Sequence, residues 1–168
     1  MAMVQDEYYR GWEVKPLGLY TSSELTTIYN PFTDMYRMVE PFWFIRQNGE
    51  AIPAPRGMVT DFCSIPWWAQ WLFSKDGPWK PAGGIHDILC QGEFVPIPLA
   101  NLIFKEALEA MRVIPAWRVA LMYKAVQIGT AATYRKHTLQ SVVAARKLCR
   151  IAFDHQRPLW PDGKLRFV

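Results

Sequence analysis

Leu99-Ala100-Asn101-Leu102-Ile103-Phe104-Lys105-Glu106-Ala107-Leu108-Glu109-Ala110-Met111 decides the fold class. Its apolar residues Leu102, Ile103, Ala107, Ala110 and Met111 recur at three and four, the spacing of one helix face. Beyond Pro115 a second helix is expected over Ala116–Thr130, with Val119, Ala120, Tyr123, Val126 and Gln127 on one side. A third is expected over about Leu139–Phe153, ended by Pro158 and Pro161. Upstream, a helix carries Ile85–Cys90 after Gly83-Gly84, and Pro96-Ile97-Pro98 breaks the chain before Leu99. A shorter helix is expected over Trp67–Phe73. Ser64-Ile65-Pro66 would open it, because Ser caps well and Pro is tolerated in a first turn, and Lys75-Asp76-Gly77-Pro78 would stop it.

The first half reads differently. Turn signals at Asn30-Pro31, Asn48-Gly49, Pro53, Pro55 and Arg56-Gly57 separate short runs with strand character, Tyr36–Val39, Phe42–Ile45 and Met58-Val59-Thr60. Asn48-Gly49 is a hairpin signal, because both residues tolerate positive φ. Helices that follow one another without intervening strands argue against a parallel α/β sheet. The expected class is α+β: a small antiparallel N-terminal sheet with hairpins, then a bundle of about four helices. The 168 residues fit one domain, with residues 1–30 a candidate N-terminal arm and 159–168 a candidate extended tail.

Composition narrows the function classes. At 51% hydrophobic residues the chain can build a core, and its 8 Trp, 7 Tyr and 9 Phe are an unusual aromatic load. Such rings either fill the interior or face a partner. The net charge of +4 is mild and leans towards Arg135, Lys136, Arg146, Lys147 and Arg150, which read as a solvated helix face. Nucleic-acid binding, which needs a dense basic face, is not expected. No stretch approaches the roughly 18 apolar residues of a membrane span. Met1–Arg10 lacks the apolar region of a signal peptide, so synthesis in a cytoplasm is expected. Three cysteines, Cys63, Cys90 and Cys149, are too few for a disulfide framework and read as reduced, buried thiols.

Ionisable side chains set among apolar ones need partners. Asp61, His86 and Asp87 are therefore expected to meet, as a structural tie or as a site. Asp61 follows a strand and would orient His86, as a carboxylate orients a catalytic imidazole, or bind a metal with it. Neighbours on a helix point about 100° apart, so His86 and Asp87 share one site only at a helix start, just after Gly83-Gly84. A zinc set of Cys63, His86 and Cys90, with Cys149, and a Cys–His nucleophile pair are weaker alternatives, since no C-x-x-C occurs. His137 and His155 read as surface residues.

Gly57-x-x-Thr60-Asp61-x-x-Ser64-x-Pro66, followed by Ala82-x-x-x-His86-Asp87-x-Leu89, resembles an uncharacterised protein family of bacteriophages and prophages. Ala100-Asn101-Leu102-Ile103-Phe104 and Met122-Tyr123-Lys124-Ala125-Val126-Gln127-Ile128-Gly129 supply its third and fourth elements. The resemblance spans Tyr36 to Gly129 and departs in two places, with Asn101 where the family has an acid and Cys90 where it has an aromatic residue. It implies a phage origin, with other phage proteins as partners and self-association a further option. By this reading Asp61, His86, Asp87 and Asn101 are the candidate ligands of a divalent metal such as zinc, and Asp61, His86 and Asp87 the candidate catalytic set. The expected function is a virion- or tail-associated protein acting through assembly contacts, made in the host cytoplasm and carried into the virion. The alternative is a phage hydrolase with an Asp/His/Asp site, for which peptidoglycan is the first substrate to test.

Overall fold

A computed structural model describes residues 19–21, 25–62, 77–134 and 137–155. Six strands precede four helices among them: β1 (Leu19–Tyr20), β2 (Thr27–Asn30), β3 (Met35–Met38), β4 (Phe42–Ile45), β5 (Ala51–Ala54), β6 (Val59–Thr60), α1 (Lys80–Gln91), α2 (Ile97–Ala110), α3 (Ala116–Tyr134) and α4 (Leu139–His155). The α+β expectation holds. The strands form two three-stranded antiparallel sheets, in the orders β1-β4-β5 and β2-β3-β6. The short helix expected over Trp67–Phe73, its start at Ser64-Ile65-Pro66, the tail 159–168 and most of the arm 1–30 lie outside the described residues.

Strand β4 is buried on both faces, and its alternation divides the core. Phe42 and Phe44 enter the main core with Ile85, Ile88, Leu89, Ile103 and Phe104. Trp43 and Ile45 face the other way, onto Ala51 and Ala152. There Trp43 meets Phe153 of α4 edge-on, with ring centroids 4.9 Å apart. The turn at Asn48-Gly49 joins β4 to β5 as expected, with Gly49 at φ +83° and the Asn48 amide oxygen accepting from the Glu50 N–H at 3.0 Å. Arg46 fastens this hairpin to α2 by donating from Nε to Glu106 at 3.0 Å. Tyr20 of β1 does the same from the far edge, its hydroxyl donating to the Ala107 carbonyl at 3.0 Å.

Three strands, β1, β2 and β5, escaped the sequence reading. Pro53 reads as a turn signal yet sits inside β5, opposite Trp43. Strand β5 is a sheet edge, where a missing N–H leaves no ladder bond unmade. Strand β2 falls in the first thirty residues, and its three last residues are exposed, so it carries no burial pattern to read. Two helices start earlier than expected. Pro98 lies in the first turn of α2 rather than before it, and Gly83-Gly84 lie inside α1 rather than ahead of it. A first-turn proline costs nothing because its N–H would be unbonded anyway.

The two glycines mark where α1 presses on the turn after β6. A Cβ on Gly83 would stand 1.6 Å from the Phe62 carbonyl oxygen, and one on Gly84 would stand 3.2 Å from the Phe42 ring. Only a residue without a side chain allows that backbone approach at Gly83. Gly83→Ala is expected to displace α1 and lower the melting temperature far more than Gly84→Ala, although alanine is the better helix former at both positions. Thermal denaturation of the two variants side by side checks this.

Candidate functional site

His86 and Asp87 are the seventh and eighth residues of the twelve in α1. Mid-helix, the 100° between neighbours sends them to different surroundings. His86 turns into the core, where its Nε2 lies 2.9 Å from Asn101 Oδ1 of α2, with the Phe104 ring 5.2 Å away. With the amide oxygen as acceptor, His86 Nε2–H is the donor. The Thr130 hydroxyl of α3 lies 3.0 Å from the same oxygen and 2.6 Å from the Val126 carbonyl, its single proton serving one acceptor at a time. His86, Asn101 and Thr130 are all buried, and together they pin α1, α2 and α3. Burial lowers the His86 pKa, and the Asn101 bond opposes this more weakly. A neutral, bonded imidazole is the result.

Asp87 turns the other way, to the end of β6. The Thr60 hydroxyl and the Phe62 N–H both donate to its carboxyl, and the Asp61 carboxyl is in hydrogen-bond contact with it. Two carboxyl groups bond to each other only if one keeps a proton. Dense packing around the group, then the Asp61 charge, raise Asp87 to about 8, and the bonds from Thr60 and Phe62 offset part of the rise. Both aspartates keep some contact with solvent. Local backbone shape completes the arrangement. Phe62 is fully buried at φ +61°, left-handed for a bulky residue, which costs on the order of 1–3 kcal/mol. Its N–H also lies 2.8 Å from Thr60 Oγ1. Its ring packs on Tyr36, over which Lys80 Nζ stands at 4.3 Å.

The expected meeting of Asp61 with His86 is therefore replaced by two separate pairings, Asp61 with Asp87 and His86 with Asn101. The candidate metal set Asp61, His86, Asp87 and Asn101 divides along the same line. Among the described residues no three His, Cys, Asp or Glu side chains group so as to hold a metal ion. Cys90 Sγ lies 3.7 Å from His86 Nε2, within the core. Cys149 is free and buried, its thiol pushed up to about 12 by burial, which leaves no activated nucleophile there. Cys63 and Ser64 lie outside the described residues. His137 is not a surface residue: it is largely covered, with Nδ1 3.5 Å from Glu93. Arg146 is exposed as expected, and it also donates from Nε to the Gly92 carbonyl at 2.7 Å, at the negative end of α1. Thr60 and Thr130 went unnoticed as site residues, although Thr60 stands beside Asp61 in the sequence.

Residues 36–126 match the family described as protein of unknown function, DUF1353. The chain belongs to the DUF1353 family. The matched region runs from β3 into α3 and contains both pairings, while Thr130 lies just past it. No curated protein and no solved structure gives a match. Within the family region, the Thr60–Asp61–Asp87 cluster is the arrangement able to hold and release a proton near neutral pH.

Two outcomes test these assignments. A carboxyl held protonated in the fold, but ionised above about 4 in the unfolded chain, makes the unfolded state bind fewer protons. Stability should therefore fall as pH rises from about 4 to about 8 and level off above that. Asp87→Asn should flatten this decline in urea titrations run across that range. Asn101→Leu removes the acceptor of His86 and strands buried donors, at a cost of about 1–3 kcal/mol at neutral pH by the same titration.

Proposed function

We propose that the protein is a bacteriophage-encoded hydrolase that cleaves amide bonds of the bacterial cell wall with the Asp61–Asp87 pair. The observation that carries this reading is the hydrogen-bond contact between the two carboxyls, one of which holds its proton to about pH 8. Glycosidases keep their two carboxyls about 5 Å or more apart, so that a sugar carbon or a water fits between them. Carboxyls in contact suit another reaction, in which a water bound to both attacks a carbonyl carbon. Asp61, as carboxylate, takes a proton from the water as its oxygen bonds to the carbonyl carbon. Asp87 gives its proton to the carbonyl oxygen. Collapse of the tetrahedral intermediate then breaks the C–N bond, with a proton passing from Asp61 to the leaving nitrogen and one hydroxyl of the intermediate returning its proton to Asp87, which restores the pair. The strained Phe62 beside the pair supports the reading, since such backbone persists where surroundings enforce it and clusters at active sites. His86 is committed to Asn101, so the base role expected for it passes to Asp61. The phage setting, and with it the cell wall as substrate, rests on the resemblance of the Thr60-Asp61 and His86-Asp87 segments to the phage family.

Purified sacculi provide the test. The protein should release free amino groups without new reducing sugar ends, with activity falling above about pH 8. Asp61→Asn and Asp87→Asn should each lower the rate at least about a hundredfold. Release of reducing ends, or activity indifferent to both substitutions, would overturn the assignment.

A second reading, a virion- or tail-associated assembly protein, is favoured by the β2–β3 hairpin. Ile28, Tyr29 and Phe32 are exposed there, Phe32 at 97%, and large apolar side chains left in water suit a contact surface.

A further inference from the structure

The N-terminus of α3 carries a cation where helices favour anions. Ala116, Trp117 and Arg118 open this helix, and its first turn holds no acidic residue. The exposed N–H groups of a helix start amount to about half a positive charge, so Arg118 adds like charge to like. No carboxylate among the described residues pairs with it, and its buried Nε has no hydrogen-bond partner. Its guanidinium instead lies over two indoles, 5.3 Å from the Trp117 ring and 5.7 Å from the Trp79 ring. Trp79 is buried, while Trp117 is 59% exposed and Val113, in the connection before the helix, is 65% exposed. Arg112, in the same connection, is also exposed and sits at φ +58°.

We propose that this end of the helical bundle binds a partner protein through an acidic segment, with a carboxylate on Arg118 and an apolar neighbour on Trp117 and Val113. Three features converge on that chemistry. Contact with two rings restrains the side chain, which reduces the entropy lost on binding, and a guanidinium can make a two-point contact with a carboxylate. The buried Nε shows that the protein has already stripped part of the hydration from the cation, so less remains to be removed by a partner. An anion placed there would also complement the helix start. The exposed apolar area on Trp117 and Val113 selects a peptide over a free anion, and Trp beside Arg is the composition of interface hot spots. The mild net charge disfavours a nucleic-acid backbone, which needs several phosphate contacts. The inference stands apart from the carboxyl pair and from the β2–β3 hairpin.

The probe is a capped peptide of alternating Glu and Leu, titrated into the full chain and followed by indole N–H resonances. Its Gln–Leu counterpart, inorganic phosphate and a single-stranded oligonucleotide are run alongside. The Glu peptide should bind best, weaken with salt, and shift the Trp117 indole. Arg118→Gln should weaken it about tenfold or more. Trp117→Ala, at an exposed position that the fold does not need, should weaken it independently. Asp87→Asn, which would abolish hydrolysis, should leave the binding unchanged, so failure of one assignment does not mimic failure of the other. Equal binding of the Gln peptide, tighter binding of phosphate or the oligonucleotide, or full binding by both folded variants would overturn the proposal.

Discussion

The Phe62 carbonyl and the backbone of Gly83 stand so close that no side chain fits between them. That contact sets the depth and rotation of α1 against the turn after β6, and the rest of the site follows from it. With the helix face at Gly83 turned to Phe62, Asp87 one turn later falls on the same side, beside Thr60 and Asp61. His86, a third of a turn away, is left facing α2. A helix held farther out would give Asp87 water instead of a second carboxyl, and Thr60 would lose its partner. Phe62 bears the cost on the other side of the contact, adopting a left-handed backbone that aims its carbonyl at the helix and its N–H at the site.

The same contact explains why a buried polar cluster and a proton-sharing pair coexist on one helix. The His86–Asn101–Thr130 cluster is sealed in the core, uncharged and bonded, and such clusters specify how helices register against one another. The Asp61–Asp87 pair lies at the rim, where one proton and one charge remain in reach of solvent. The first device holds three helices in place, and the second is the group with chemistry to offer. Their separation, although the two residues are adjacent in sequence, is a direct consequence of 3.6 residues per turn.

Periodicity carried far in reading this chain. The stripe through Leu102, Ile103 and Ala107 and the aromatic alternation of Phe42–Ile45 were legible because each buries a regular face. Strand β2 was not legible because its side chains lie in water, and β5 was obscured by Pro53, which only an edge tolerates. At the site, composition correctly marked Asp61, His86 and Asp87 as residues needing partners. It could not assign them, since pairing depends on where Gly83-Gly84 fall relative to the helix start. Read as a flexible lead-in, the glycines place His86 and Asp87 at a helix N-terminus, free to converge. Placed inside the helix as a packing surface, they force the two apart.

Asn101 gains its meaning from that second arrangement. As a metal ligand it would be a weak substitute for an acid, but against His86 an amide is the better partner. An aspartate there would bring a charge into a site lined by Phe104, and the imidazole would have to take a proton to match it. Such a buried ion pair gains little over a neutral bond once both charges have been desolvated. The amide satisfies His86 and Thr130 without a net charge, and it leaves the acidity of the Asp61–Asp87 pair to be set by packing, by the charge the two share, and by Thr60 and Phe62. The residue that looked like a loss in a metal site is, in this fold, what keeps the core neutral beside a rim that is not.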